Sequence, residues 1–185
     1  QKKKLEKKKI KNSSNIIGVK KNYFTSQKTT TIDLCFDSAK RLLKKLKWKN
    51  HDIDILVFVT QTPDFLMPSC SSIIHDKLNL KKDCISFDIN LGCSGYVYGL
   101  WNIYKIMQNG DYKKGLLLVG DTISKTINSK DFINKLLFGD AGTSTAIVKK
   151  YKKKSYFILG SDGKGSNDLV IDNSGFRKKK FKPEF

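Results

Sequence analysis

The sequence predicts an α/β layered fold on three observations. Short runs of aliphatic and β-branched residues at 53–60, 84–89 and 115–120 read as buried strands. Segments whose apolar residues recur at helical spacing separate those runs, so strand and helix alternate along the chain. One helical segment, 96–107, is apolar on nearly all sides, as a helix buried within the fold would be. No repeat with a period of roughly 20–50 residues is present, which excludes solenoids and propellers.

Residues 1–11 (QKKKLEKKKIK) are too polar on every side to bury a face and read as a fraying helix or tail, so 1–14 is set apart as a Lys-rich segment. From 31 to 48, Ile32, Leu34, Cys35, Ala39, Leu42, Leu43 and Leu46 form one face of a helix, with Lys40, Lys44, Lys45 and Lys47 on the other. The buried strand at 53–60 is followed by a loop, 61–68. Ser69 stands at an N-cap, and Ile73, Ile74 and Leu78 supply the stripe of a short helix ending near Asn79. A second strand at 84–89 runs into a tight turn of small residues, NLGCSG at 90–95, and then into the apolar helix, which Asn109-Gly110 stops. Beyond it come a strand at 115–120, a strand-to-loop passage at 135–142, and strands at 145–149 and 156–159.

With 185 residues and 39% hydrophobic content the chain is long enough to bury the core of one ordinary domain. Its longest uninterrupted apolar run, 55–59, falls far short of the ~20 residues of a membrane span, and no apolar stretch follows the Lys-rich start as a signal peptide requires. A cytoplasmic protein with no membrane association is expected. The formal net charge of +19 is uneven: residues 1–50 carry sixteen basic and three acidic side chains, 51–148 nine and ten, and 149–185 eleven and four. Of the basic residues only Arg41 and Arg177 are Arg, whereas phosphates and bases are read largely by guanidinium groups. Solvated basic flanks around a neutral middle are therefore expected rather than nucleic-acid recognition. Cys35, Cys70, Cys84 and Cys93 contain no C-x-x-C pair, and with only His51 and His75 beside them no zinc pattern can be assembled, so reduced cysteines and no metal are expected.

The chemistry points to DINLGCSGYVYG at 88–99, which sets a cysteine among glycines at the junction of a strand and a helix. Glycines permit a tight turn there, and the N–H groups and dipole of a helix N-terminus favour thiolate and can cradle an oxyanion. Cys93 is the candidate nucleophile for acyl groups. The alternative is a small buried apolar residue, the usual state of a free cysteine. GSDGKG at 160–165 lacks the phosphate-loop pattern and reads as a flexible turn, and GCSG at 92–95 has the wrong spacing for a serine nucleophile elbow. His75, on a short helix, and His51, ahead of a strand, read as capping or surface residues.

These residues resemble the β-ketoacyl-[acyl-carrier-protein] synthase III family of thiolase-like condensing enzymes. IGVKKNY at 17–23 is similar to the family's T-G-I-[RK]-x-R segment, TQTPDFLMPS at 60–69 to its loop ending in P-[SA], and FDINLGCSGY at 87–96 to its nucleophile segment. VGDT at 119–122 and FGDAG at 138–142 resemble a later strand and the F-G-D-[GA] loop. The resemblance runs from about residue 17 to 177 and implies the N-terminal half of a thiolase-like fold: an incomplete domain at 15–177, a basic end at 178–185, and a mixed sheet with a buried central helix carrying the nucleophile at its N-terminus. It implies that Cys93 takes an acyl group from acyl-CoA as a thioester, which malonyl-[acyl-carrier protein] then attacks on decarboxylation, in fatty acid or related acyl-chain biosynthesis. Gly139 and Asp140 would be structural support near the site. Met67, in the loop before P-[SA], would reach the acyl pocket of the partner in a homodimer. Acyl-CoA and acyl carrier protein are the implied partners, with no further cofactor.

The family's usual Trp ahead of the first motif is absent, and Asn22 stands where Arg is common, so coenzyme A contacts are not assigned. The His and Asn that activate the malonyl group come from the family's second half, and the chain is expected to be a fragment lacking it. Two other readings remain, an inactive acyl- or carrier-binding remnant and a basic nucleic-acid-binding domain. An acyl adduct on Cys93 separates the first reading from both, and steeply salt-dependent DNA affinity would favour the last.

Overall fold

A computed structural model of the chain describes residues 18–128, 131–150 and 155–171 together with Ser174 and Phe176. The expected Lys-rich segment 1–14 and basic end 178–185 lie outside the described residues. The chain divides into two compact units, Gln1–Ser155 and Tyr156–Phe185.

In the first unit, helix α1 (Thr31–Leu46) starts at a capping box. The Thr30 hydroxyl accepts from the Asp33 N–H, and the Asp33 carboxylate accepts from the Thr30 N–H at 3.0 Å. It ends where Lys47 turns left-handed, with φ 55°, and donates its N–H to the carbonyls of Leu43 and Lys44. Strand β1 (Ile55–Val59), helix α2 (Cys70–Lys77), strand β2 (Ile85–Ile89), helix α3 (Gly95–Gln108) and strand β3 (Lys114–Asp121) follow. A short helix α4 (Phe132–Leu137) and strand β4 (Ala141–Val148) complete the unit.

The sheet is mixed, in the order β2-β1-β3-β4. β1 lies parallel to both β2 and β3, and β4 runs antiparallel to β3. All five residues of β1 are buried, and their alternation feeds two cores. Leu56 and Phe58, with Leu116 and Leu118 of β3, meet Ile32, Cys35, Ala39 and Leu43 of α1 and Cys70 and Ile74 of α2. Ile55, Val57, Val59 and Leu117 meet Ile103 and Met107 of α3 on the opposite face. At ~25 cal/mol per Å² of apolar surface, each such side chain contributes ~1.5–3 kcal/mol on burial.

Glycine sets how closely α3 approaches the sheet. A Cβ on Gly95 would stand 2.5 Å from Val59 Cγ1, and one on Gly99 2.6 Å from Leu117 Cδ1. The buried stripe of α3 is Gly95, Gly99, Ile103 and Met107, spaced four residues apart. Tyr96 and Val97 stay exposed and Leu100 and Trp101 half-buried, so in the described residues the helix is buried on one side, where its all-round apolar sequence predicts burial on every side.

Two sequence expectations are corrected. Residues 135–142 are not a strand-to-loop passage: Lys135 to Leu137 complete helix α4, and β4 begins at Ala141, four residues ahead of the expected 145. The helix wins because the Asp131 carboxylate caps it, accepting from the Asn134 N–H at 3.0 Å, while the Asn22 amide donates to the carbonyls of Lys135 and Leu136 at 3.0 and 2.8 Å. Residues 156–159 form no strand. In the second unit 156–163 carries no strand, with Tyr156 and Ile158 exposed, and the sheet of the described residues is made of β1 to β4 alone.

Candidate active site

The C-terminal ends of β1, β2 and β3 lie side by side, where open α/β sheets hold their ligands. The turn that follows β2 carries Cys93 to solvent just ahead of α3. Its first turn is closed by the backbone: the Gly95 N–H donates to the Gly92 carbonyl at 2.8 Å, and the N–H groups of Val97 and Tyr98 to the Ser94 carbonyl at 3.1 and 3.2 Å. Ser94 stands at the N-cap without a side-chain cap bond. The 14-residue α3 directs the positive end of its dipole at this turn.

The other three thiols are buried. Burial pushes Cys35 up to about 12, and Cys70 and Cys84 to about 11, far from the thiolate form at neutral pH. Cys93 alone of the four is open to a reagent. Of the two sequence readings of Cys93, the small buried apolar residue is not what the structure shows, since the side chain is exposed.

The surrounding strand ends are tied down by three carboxylates. Asp88 of β2 accepts from the Cys70 and Ser71 N–H groups at 2.7 and 2.8 Å and so caps α2. Asp121, at the end of β3, accepts on one oxygen from the Gln61 N–H at 2.7 Å, the Thr62 N–H and hydroxyl at 3.0 Å and the Thr60 hydroxyl at 2.9 Å. The Thr62 hydroxyl in turn meets those of Thr31 and accepts from the Thr122 N–H at 2.8 Å, locking β1, α1 and β3 together.

Asp140 holds the third junction. It accepts from the Thr25 N–H and hydroxyl, both at 2.8 Å, and from the Ser124 N–H and hydroxyl at 2.9 and 2.6 Å. Burial works against its charge, yet hydrogen bonds from Ser124 and Thr25 outweigh that and hold its carboxyl below the usual range. Gly139 lies against the Tyr23 backbone, and the Asp140 N–H donates to the Tyr23 carbonyl at 2.8 Å. The pairing Ala141↔Asp121 puts Asp140 at the same end of the sheet as Cys93, with β2 and β4 three strand spacings apart, about 14 Å.

Met67 is 85% exposed near the end of the 61–68 loop, beside exposed Phe65 and Leu66. Beneath the loop, Thr60, Pro63, Phe65, Leu66, Ser69, Asp88 and Asn90 line a cavity of about 280 Å³. His75 bonds the Lys81 carbonyl at 3.0 Å, and His51 lies on the surface 3.7 Å from Asp52, so both keep the peripheral places the sequence suggests. Among the described residues no group of three His, Cys, Asp or Glu side chains is placed to hold a metal, and no helix is long and apolar enough to cross a membrane. Sequence reasoning missed Asp121 and Gln61, whose roles depend on strand order. It also missed the capping role of Asp88, signalled by the one charged residue in the strand ISFDI.

Comparison with known proteins places the chain in a family. Residues 87–164 match the family model described as 3-oxoacyl-[acyl-carrier-protein] synthase III. The chain is 37% identical over 168 residues to a putative 3-oxoacyl-[acyl-carrier-protein] synthase 3 of Campylobacter jejuni, covering 91% of this chain and 47% of that one. It is 35% identical over 164 residues to a β-ketoacyl-[acyl-carrier-protein] synthase III of Caldanaerobacter subterraneus, covering 86% and 49%. The crystal structure of a 3-oxoacyl-(acyl-carrier protein) synthase of Burkholderia xenovorans superposes with a TM-score of 0.81 at 39% identity, covering 90% of this chain and 48% of that one. The chain spans about half the length of the curated relatives it matches. By sequence and by its thiolase-like α/β fold, the chain belongs to the 3-oxoacyl-[acyl-carrier-protein] synthase III family and corresponds to its N-terminal half.

Proposed function

We propose that the chain supplies the nucleophile half of an acyltransferase that condenses an acyl-CoA with malonyl-[acyl-carrier protein], in fatty acid or related acyl-chain biosynthesis. The observation that carries the reading is Cys93, an exposed thiol ahead of a 14-residue helix N-terminus in a chain whose other thiols are buried. The Cys93 thiolate attacks the acyl-CoA carbonyl, and the tetrahedral oxyanion collapses to expel coenzyme A as thiolate, which takes up a proton. The helix dipole favours the negative charge at both stages. Malonyl-[acyl-carrier protein] then loses carbon dioxide, and the resulting enolate attacks the Cys93 thioester. β-Ketoacyl-[acyl-carrier protein] leaves and the Cys93 thiolate is regenerated. Donors for the enolate are expected from the family's second half.

The same reading makes the working protein a cytoplasmic homodimer. β2 is an edge strand among the described residues, and its Asp88 anchors the helix that follows the Met67 loop, so a partner joined at this edge would receive Met67 near its acyl pocket. Gly139 and Asp140 hold the 22–25 segment and the 123–125 turn in register at the site's rim. The basic flanks suit an acidic carrier protein, steering its approach by long-range charge.

Incubation with an acyl-CoA followed by peptide mapping tests the reading. A thioester on the Cys93 peptide, absent in Cys93→Ser, is expected. Acyl-CoA binding without any adduct would leave the inactive remnant as the better description.

A further inference from the structure

One side chain at the strand ends, that of Gln61, has no part in the chemistry described so far. Its backbone is pinned, since its N–H donates to Asp121 Oδ1 at 2.7 Å, on the oxygen that also holds Thr60 and Thr62. Its side chain lies against the nucleophile turn. A Cβ built on Gly92 would stand 2.5 Å from Gln61 Oε1 and 3.2 Å from its Cδ, so the Gln61 carboxamide fills the space a side chain at 92 would take. Gly92 immediately precedes Cys93, and the strand order that sets β1 beside β2 brings the two segments together.

We propose that Gln61 is a positioning residue for Cys93, acting through the Gly92 backbone to hold the turn that presents the thiol. The inference rests on the reading of Cys93 as the acyl acceptor. A carboxamide suits the place because it packs there without carrying charge, whereas a carboxylate of the same shape would oppose thiolate formation. The carboxylates native to these strand ends are already engaged, Asp88 by the N–H groups of Cys70 and Ser71 and Asp121 by those of Gln61 and Thr62. Glycine at 92 is explained by the same contact, since any side chain there would displace the carboxamide.

The test follows alkylation of Cys93 by iodoacetamide across pH on the 185-residue chain, read by peptide mapping, with circular dichroism as the check on folding. Gln61 is exposed, and an alanine at 92 meets only the far end of its flexible side chain, so these variants are expected to fold. Gln61→Glu should move the midpoint of the rate profile up by about half a pH unit or more. Gln61→Ala and Gly92→Ala should each slow alkylation at the plateau about threefold, and the double variant should be no slower than the slower single one, because both changes remove the same contact. An unmoved midpoint in Gln61→Glu, or slowing that multiplies in the double variant, would overturn the proposal. If wild-type Cys93 reacted no faster than the buried thiols, the acyl-acceptor reading would fail, while the midpoint and the double variant would still decide the role of Gln61.

Discussion

Replacing Gly99 with alanine tests how closely α3 is seated on the sheet. In an exposed helix interior the change stabilises by ~1 kcal/mol, because glycine is the poorer helix former. Here the new Cβ would stand 2.6 Å from Leu117 Cδ1 and 3.1 Å from Val59 Cγ2, against side chains that are 0% and 1% exposed. Overpacking of this kind costs ~1–3 kcal/mol, so Gly99→Ala should lose ~1–2 kcal/mol net. Urea unfolding measures it, as a lower midpoint at unchanged slope. Leu117→Ala should itself cost ~2–5 kcal/mol, but in that background the closest clash is gone and only the 3.1 Å approach to Val59 Cγ2 remains, so Gly99→Ala should be near neutral, a coupling of ~1–2 kcal/mol. A Gly99→Ala variant that is ~1 kcal/mol more stable than wild type would refute the close approach, and with it the geometry that delivers Cys93 to the sheet's end.

Asp140→Asn removes the charge that receives four hydrogen bonds and should destabilise by ~2–3 kcal/mol at neutral pH in urea unfolding. Because the folded Asp140 carboxyl is held below its ordinary 3.8, its contribution is fully present above that value and is lost as pH falls through the folded value; acid unfolding of the Asn variant should lack this component, and an identical acid profile would contradict it. Asp88→Ala should cost ~1–2 kcal/mol through loss of the α2 cap, and no change in stability would refute that role. Binding of an acidic carrier protein should weaken between low and high salt, since a Debye length of ~10 Å at 0.1 M screens the basic flanks, and salt-independent binding would remove the steering argument. The chain alone should give no β-ketoacyl product from acyl-CoA and malonyl-[acyl-carrier protein] above the no-enzyme rate; appearance of product would show that donors beyond these residues are not required.

The parallel strands were legible because burial on both faces leaves a continuous apolar run, as in ILVFV of β1. Helix α1 was legible because its stripe is amphipathic, and Ser69 announced α2 through its side-chain cap. Helix α4 was not, because it is six residues long and held by Asn22, more than a hundred positions away, as much as by its own Asp131. The strand expected at 156–159 shows the converse limit, since an apolar run such as YFIL has the composition of a strand without specifying which neighbour it would pair with. At the site, Cys93 could be found from its own neighbours, the glycines and the strand-to-helix junction. Gln61 and Asp121 could not, because they meet the turn only through the order β2-β1-β3, which no local pattern encodes.

The central claim is that Cys93 is the thiol that reacts with acyl groups, and competitive labelling of the folded chain tests it most directly. Brief iodoacetamide treatment at neutral pH, followed by peptide mapping of all four cysteines, should modify Cys93 first, and prior incubation with an acyl-CoA should protect it. Modification of Cys35 or Cys70 with Cys93 untouched, or labelling of Cys93 that acyl-CoA leaves unchanged, would contradict the account.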